Sequence, residues 1–221
     1  MARPKDPLSR SALVSAARAE FARVGLRSAR IEDITHACGL SKGAFYLHFE
    51  SKEGLFREQT AALQASFEAM RVSRAKAYRE LTRRGPGDAL PFVAAMMEID
   101  AREDRKLLEL LWDWRDVTDV LLRGSQGTEF SGLLWAMLDR EVSRVERECA
   151  LLDRAGFMRD DVPGFVIGSM IVGTYLMIAR RLSLLSEKPA FEPLVAALQS
   201  VLADGVAPRV VASKPARARR A

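Results

Sequence analysis

Ile31–Leu55, IEDITHACGLSKGAFYLHFESKEGL, is the stretch that decides how this chain is read. It predicts two short helices, 31–38 and 41–47, joined by a tight turn, with a third helix starting at Lys52. Gly39-Leu40-Ser41 is the turn: glycine takes the left-handed conformation that ends a helix without steric cost, and a serine oxygen caps the next one. Ile34, Ala37, Leu40 and Phe45 supply an apolar face across the corner, while Lys42, Tyr46, His48 and Lys52 project polar groups away from it. A helix-turn-helix is built this way, with its second helix presented to the DNA major groove.

Working outward, Gly25, Ile34, Gly39, Leu40, Ser41, Gly43, Tyr46, His48, Phe49, Lys52 and Leu55 stand at fixed spacing. In this the sequence resembles the TetR-type transcriptional regulators, whose N-terminal signature has these residue types in this order, with Val at the Leu40 position. The motif covers residues 9–56; over the rest, the resemblance is carried by length and helix pattern. It implies an all-α fold of about nine helices. Residues 1–51 would form an N-terminal three-helix DNA-binding domain and 52–207 a larger helical effector-binding and dimerisation domain. A basic, Ala/Pro/Arg-rich disordered tail would follow at 208–221. The implied partners are a double-stranded DNA operator, a small-molecule effector and a second copy of the chain, with no cofactor.

The sequence departs from the pattern at Ala29-Arg30, which replaces Thr-Thr and removes a hydroxyl cap and phosphate contact. Ser28 is the substitute cap, and Arg30 is a phosphate contact by charge. Ala44 replaces a frequent Ser or Thr, and Thr35 and Cys38 replace alanines as small packing residues. The candidate DNA-binding residues are therefore Arg30, Ser41, Lys42, Gly43, Ala44, Tyr46, His48 and Lys52. Gly43 lets DNA approach the backbone, and Lys42 reaches a guanine edge or a phosphate. Tyr46, His48 and Lys52 match family positions that hold phosphates.

Charge distribution agrees with this division. The net charge is +5, yet residues 1–52 hold nine Lys/Arg against five Asp/Glu, 53–205 hold twenty against twenty-four, and 206–221 hold five against none. A basic module on an acidic body suits a DNA binder that does not coat DNA with its whole surface. Two cysteines, Cys38 and Cys149, give no disulfide framework and suit reducing cytoplasm. His36, Cys38 and His48 lack metal-ligand spacing, so no metal site is expected. Catalysis is disfavoured too: both histidines lie in the DNA-reading segment, and no glycine-rich phosphate loop or nucleophile–base pair is evident.

Helices are expected at 9–24, with Leu13, Val14, Ala17, Phe21 and Val24 as a stripe, and at 52–81, with Leu55, Phe56, Leu63, Phe67 and Met70 on one face. The run Arg83-Arg84-Gly85-Pro86-Gly87 breaks the second of these. Further helices are expected at 88–102, 105–122, 129–155, 162–186 and 191–204. No separate linker precedes 52, so the helix beginning there must couple the two domains.

Trp112 and Trp114 lie about 200° apart around a helix and cannot both face one core. One must meet a pocket, a dimer partner or solvent. Phe92, Met96, Trp112, Trp114, Trp135 and Tyr175 are the effector-binding candidates, and Asp113 and Asp116 beside the tryptophans could select a cation. Residues 165–185 are apolar nearly all round, as a surface helix cannot be. Phe165, Gly168, Ile171, Val172, Tyr175, Leu176 and Leu198 are the dimerisation candidates. The sixteen uncharged residues Gly164–Ala179 fall short of a membrane span, so no membrane association is expected. The leading reading is a repressor released from a near-palindromic operator by its effector. The alternative is an activator or co-regulator whose large domain binds a protein partner.

Overall fold

A computed structural model describes residues 6–83, 89–154 and 161–206, and every regular element among them is helical. The order is α1 Pro7–Val24, α2 Ile31–Ala37, α3 Lys42–His48, α4 Lys52–Arg83, α5 Ala89–Asp113, α6 Arg115–Asp119, α7 Leu133–Arg154, α8 Gly164–Leu182 and α9 Phe191–Val206, with a π-helical turn at Val120–Gly124 after α6. The all-α expectation holds. Most of the expected break at 83–87, and the basic tail at 208–221, lie outside the described residues.

α1 starts two residues before the expected Ser9 because Asp6 caps it. The Asp6 carboxylate accepts from the amides of Leu8 and Ser9 at 3.1 and 3.2 Å, and Pro7 fills the first turn. The turn between α2 and α3 is closed as the sequence suggests. Gly39 takes a φ of 67°, the Leu40 amide donates to the Thr35 carbonyl at 2.9 Å, and Ser41 Oγ accepts from the Ala44 amide at 3.2 Å. The N-terminus of α2 behaves differently: no side chain caps it, Ser28 included, and Arg30 takes the N-cap position.

The core of this module does not stop at residue 51. Phe21, Ile34, Phe45, Leu55 and Phe56 are buried in one cluster with Val117, Val120 and Phe130 from the second half of the chain. Phe56 stands edge-on to Phe21 at 5.6 Å and to Phe130 at 5.0 Å, linking α1, α4 and the segment before α7. Burial of such aromatic rings is a dominant stabilising term. α4 spans 32 residues, about 48 Å at 1.5 Å per residue, so one rod runs from the helix-turn-helix into the large domain.

Two helix boundaries differ from expectation. The expected break at 103–104 is absent and α5 continues to Asp113, because the run Asp100–Arg105 contains no glycine or proline and turns three carboxylates inward. The real interruption is at Trp114 (φ −109°, ψ 15°), after which the chain restarts as α6 and loosens into the π turn. That break resolves the tryptophan conflict. Trp112 packs with Leu108, Tyr175, Leu182 and Phe191, and Trp114 packs on the other cluster, against Val117 and its neighbours, so each faces a separate core. α7 starts at Leu133 rather than 129, since Ser125, Thr128 and Ser131 form a hydroxyl–carbonyl turn: Thr128 Oγ1 and Ser131 Oγ donate to the Ser125 carbonyl at 2.6 and 3.0 Å.

Candidate nucleic-acid interface and effector cavity

The helix-turn-helix presents Ser41, Lys42, Gly43 and Tyr46 to solvent, with Ala44 and His48 half-buried on the flanks. Phe45 anchors α3 from behind, fully buried. A side chain at Gly43 would meet nothing closer than Ser41 Oγ at 3.7 Å, so packing within the chain does not require glycine there. Arg30, Lys42, Tyr46 and Lys52 border one shallow depression, which also holds Glu32, Glu50 and Glu53. Lys42 is 2.5 Å from Glu32, an exposed pair whose hydrogen bond raises the lysine pKa and lowers that of the carboxylate.

Lys52 plays another part than the sequence suggested. Its ammonium donates to the carbonyls of Arg27 and Ala29, both at 2.8 Å, with the side chain only 19% exposed. It ties the start of α4 to the α1–α2 connection.

A cavity of about 490 Å³ lies between α4, α5, α7 and α8. Leu63, Phe67, Leu107, Met137, Ile171 and Leu176 supply apolar wall. Of the six effector candidates it brings together Met96 and Tyr175. Phe92, Trp112, Trp114 and Trp135 do not border it: Phe92 and Trp112 are buried elsewhere, Trp114 lies under the Arg18 guanidinium at 4.9 Å, and Trp135 is 58% exposed on α7. Of the aromatic candidates only Tyr175 borders the cavity. The Asp116 carboxylate is likewise engaged within the chain, and Asp113, exposed, contributes only its backbone carbonyl. Arg18 donates to Asp116 at 2.7 and 2.5 Å and to the Asp113 carbonyl at 2.5 Å.

Sequence reasoning missed the cavity's polar end. Arg74 on α4 approaches Asp100 at 2.5 Å and Asp104 at 3.7 Å, Tyr78 donates to Asp100 at 2.6 Å, and Gln199 from α9 donates to Asp104. Burial raises the pKa of both aspartates, opposed by the Arg74 charge. Burial and then Asp100 push the Tyr78 hydroxyl up; burial and then Asp104 do the same to Tyr175. The available signal was the i, i+4 spacing of Arg74/Tyr78 and Asp100/Asp104 on the faces that also carry Met70, Met96 and Leu107.

The dimerisation candidates divide by face. Gly168 and Tyr175 are buried, and Ile171, Val172, Leu176 and Leu198 are half-buried inward; only Phe165 is exposed. A side chain at Gly168 would come within 3.0 Å of the Val142 carbonyl, so this glycine serves close packing on α7 of its own chain. The outward face of α8 is instead Phe165, Met170, Thr174 and Met177, with Val201 exposed on α9. By length and composition α8 is apolar enough to cross a membrane, but its other side, including Ile167, Ala179 and Leu182, is buried in the fold.

The two domains touch closely away from α4 as well. Gly25 (φ 80°) places its Cα 3.2 Å from where a side chain on Gly124 would begin, and the Leu26 amide donates to the Gly124 carbonyl at 3.0 Å. α6 thus grips α1 through Asp116 and abuts it through the turn that follows, while Thr118 between them borders the cavity.

The chain joins a helix-turn-helix module through one long helix to a helical region that encloses a cavity. Residues 13–58 match the family model described as bacterial regulatory proteins, tetR family. A curated relative, an uncharacterized HTH-type transcriptional regulator, YerO of Bacillus subtilis (strain 168), is 57% identical over 35 residues, spanning 16% of this chain and 12% of that protein. Solved structures resemble the whole fold. The ketosteroid transcriptional regulator KstR2 of Mycobacterium tuberculosis matches with a TM-score of 0.63 at 16% identity, over 90% of this chain and 94% of that one. A SmeT–triclosan complex matches with a TM-score of 0.53 at 20% identity, over 90% and 92%. Residues 13–58 thus carry the TetR-family motif, and the fold of the chain is similar to that of solved transcriptional regulators.

Proposed function

We propose that this protein is a homodimeric, sequence-specific regulator that represses transcription in the cytoplasm and leaves a near-palindromic operator when a small molecule occupies the cavity. Arg30, Ser41, Lys42, Gly43, Ala44, Tyr46 and His48 would meet the DNA, with Lys52 positioning them. The free space outside Gly43 fits backbone approach to a groove. The outward apolar residues Phe165, Met170 and Met177 would pair α8 with its counterpart across a two-fold axis. That pairing would set two recognition helices about 34–36 Å apart, one turn of DNA. In this scheme residues 1–51 read DNA and the rest of the described chain senses ligand and pairs.

The observation that carries the reading is the sharing of structure between cavity and reading module. α4 holds the helix-turn-helix at Lys52 and borders the cavity at Leu63, Phe67 and Arg74. α6 borders it at Thr118 and holds α1 at Asp116. A ligand that moves either helix changes the spacing of the recognition helices, provided it binds the released state more tightly. The SmeT neighbour's complex with triclosan is a precedent for a small ligand in this fold.

Selection of bound sequences from a randomised duplex pool, at roughly physiological salt where non-specific attraction is damped, tests this reading. A palindrome with half-sites about one helical turn apart is expected. Binding that only tracks salt, with no sequence enriched, would refute it.

A further inference from the structure

Resting on the reading of the cavity as the effector site, the charge balance of its walls points to the class of ligand. Asp100, Glu103 and Asp104 occupy one face of α5 at i, i+3 and i+4 and all border the cavity. Glu103 is 2% and Asp104 4% exposed. Against these three carboxylates the interior supplies one cation, Arg74, divided between Asp100 and Asp104. Lys106 and Arg102 reach only Oε1 of Glu103, at 2.8 and 3.2 Å, and both extend into solvent. On the α7 side the charges balance, Arg71, Arg140 and Arg144 bordering the cavity with Glu68, Glu141 and Glu148, so the carboxylate excess is confined to the α5 end.

Four buried polar atoms on cavity-lining residues have no hydrogen-bond partner: Glu103 Oε2, Arg74 Nε, Thr118 Oγ1 and the Tyr175 hydroxyl. Native proteins satisfy nearly all such atoms, so four on one cavity point to a ligand that would satisfy them. A carboxylate oxygen left over in a carboxylate-rich pocket asks for a charged donor. The guanidinium Nε and the threonine hydroxyl accommodate an oxygen on the ligand body. An anion would meet a surplus of carboxylates and a single buried arginine already engaged by two of them.

We propose that the cavity receives an amphipathic organic cation. Its ammonium or amidinium would lie at the Asp100–Glu103–Asp104 end, and its aliphatic or aromatic body would lie along Leu63, Phe67, Met96, Leu107 and Met137.

The test compares decylamine, decanol and decanoate, which share one tail and differ in the head group, by calorimetric titration of the full-length protein below their micelle concentrations. The amine is expected to bind about tenfold or more tighter than the alcohol, the step that a charge-assisted hydrogen bond supplies, and decanoate weakest. Asp104→Asn and Glu103→Gln should each shrink the amine-over-alcohol ratio by several-fold; two variants guard against one failing to fold. Decanoate binding as well as the amine, an unchanged ratio in both folded variants, or no saturable binding by any of the three would overturn the assignment. Operator release is read separately. Selective amine binding that leaves operator affinity unchanged would sink effector release but not the ligand class. Release by decanoate would do the reverse.

Discussion

The reading module and the cavity domain are folded to opposite standards. Around Phe21, Phe45, Leu55 and Phe56 the chain excludes water completely, and Ser41, Asp6 and Lys52 each satisfy backbone groups at helix ends and turns. Around the cavity, side chains as deeply buried leave polar atoms unpaired and hold carboxylates in excess of cations. Such atoms lower stability wherever they lie. A fold retains them where something other than its own packing uses them. The contrast teaches that the first region is built to hold a shape and the second to be completed.

The largest expected effect probes the rigid side. Phe56→Ala removes the ring that joins Phe21 to Phe130 and should cost about 3–5 kcal/mol, the range for truncating a buried aromatic, seen as a lower urea midpoint. A loss below about 1 kcal/mol would deny that this core is tightly packed. Next comes the seam between the two regions. Gly25→Ala forces a side chain into a φ of 80° and a ψ of 157°, a backbone region reserved for glycine, and within 3.2 Å of the Gly124 carbonyl; about 1–3 kcal/mol should be lost to the backbone conformation alone.

On the cavity side the sign should reverse. Thr118→Val replaces a buried, unpartnered hydroxyl with a methyl of similar volume and should raise stability by about 1 kcal/mol. Asp104 adds a pH signature. Burial raises its pKa above the unfolded value, with Arg74 opposing, so the folded chain takes up that proton more readily than the unfolded chain. Its unfavourable contribution is therefore full at neutral pH and disappears as pH falls through the raised pKa. Asp104→Asn should be most stabilising relative to the parent near neutrality, with the gain shrinking on acidification, as urea unfolding at several pH values would record. A gain that grows with acid would contradict it. The smallest stability effect is expected at Lys42→Ala, which removes one exposed pair with Glu32. It should leave the unfolding midpoint in place while lowering the salt dependence of operator binding by about one phosphate contact.

The same contrast explains what could be read from sequence. The helix-turn-helix was legible because its determinants are local: Gly39 and Ser41 act within a turn of one another, and Phe45 and Ile34 face one small core. The cavity was not, because Asp100, Glu103 and Asp104 look like solvated charge until Arg74, from a helix 26 residues away in sequence, is placed against Asp100. The charge alone suggests a boundary near 103–104, although nothing in the run breaks a helix. Trp112 and Trp114 posed a real conflict of faces, and the chain resolves it by breaking the helix at Trp114. On α8, apolarity all round gave no direction. Gly168 and Tyr175 therefore stood as partner-facing candidates, whereas the fold turns them inward and leaves Met170 and Met177 outside.

The central claim is that cavity and reading face are coupled through α4 and α6. It is tested most directly by measuring the affinity of the full-length protein for its selected operator with the cavity empty and with it saturated by a ligand that calorimetry shows to bind there. A coupling of about 1–3 kcal/mol predicts that saturation weakens operator binding roughly 5- to 150-fold. An operator affinity unchanged by a saturating cavity ligand would contradict the account.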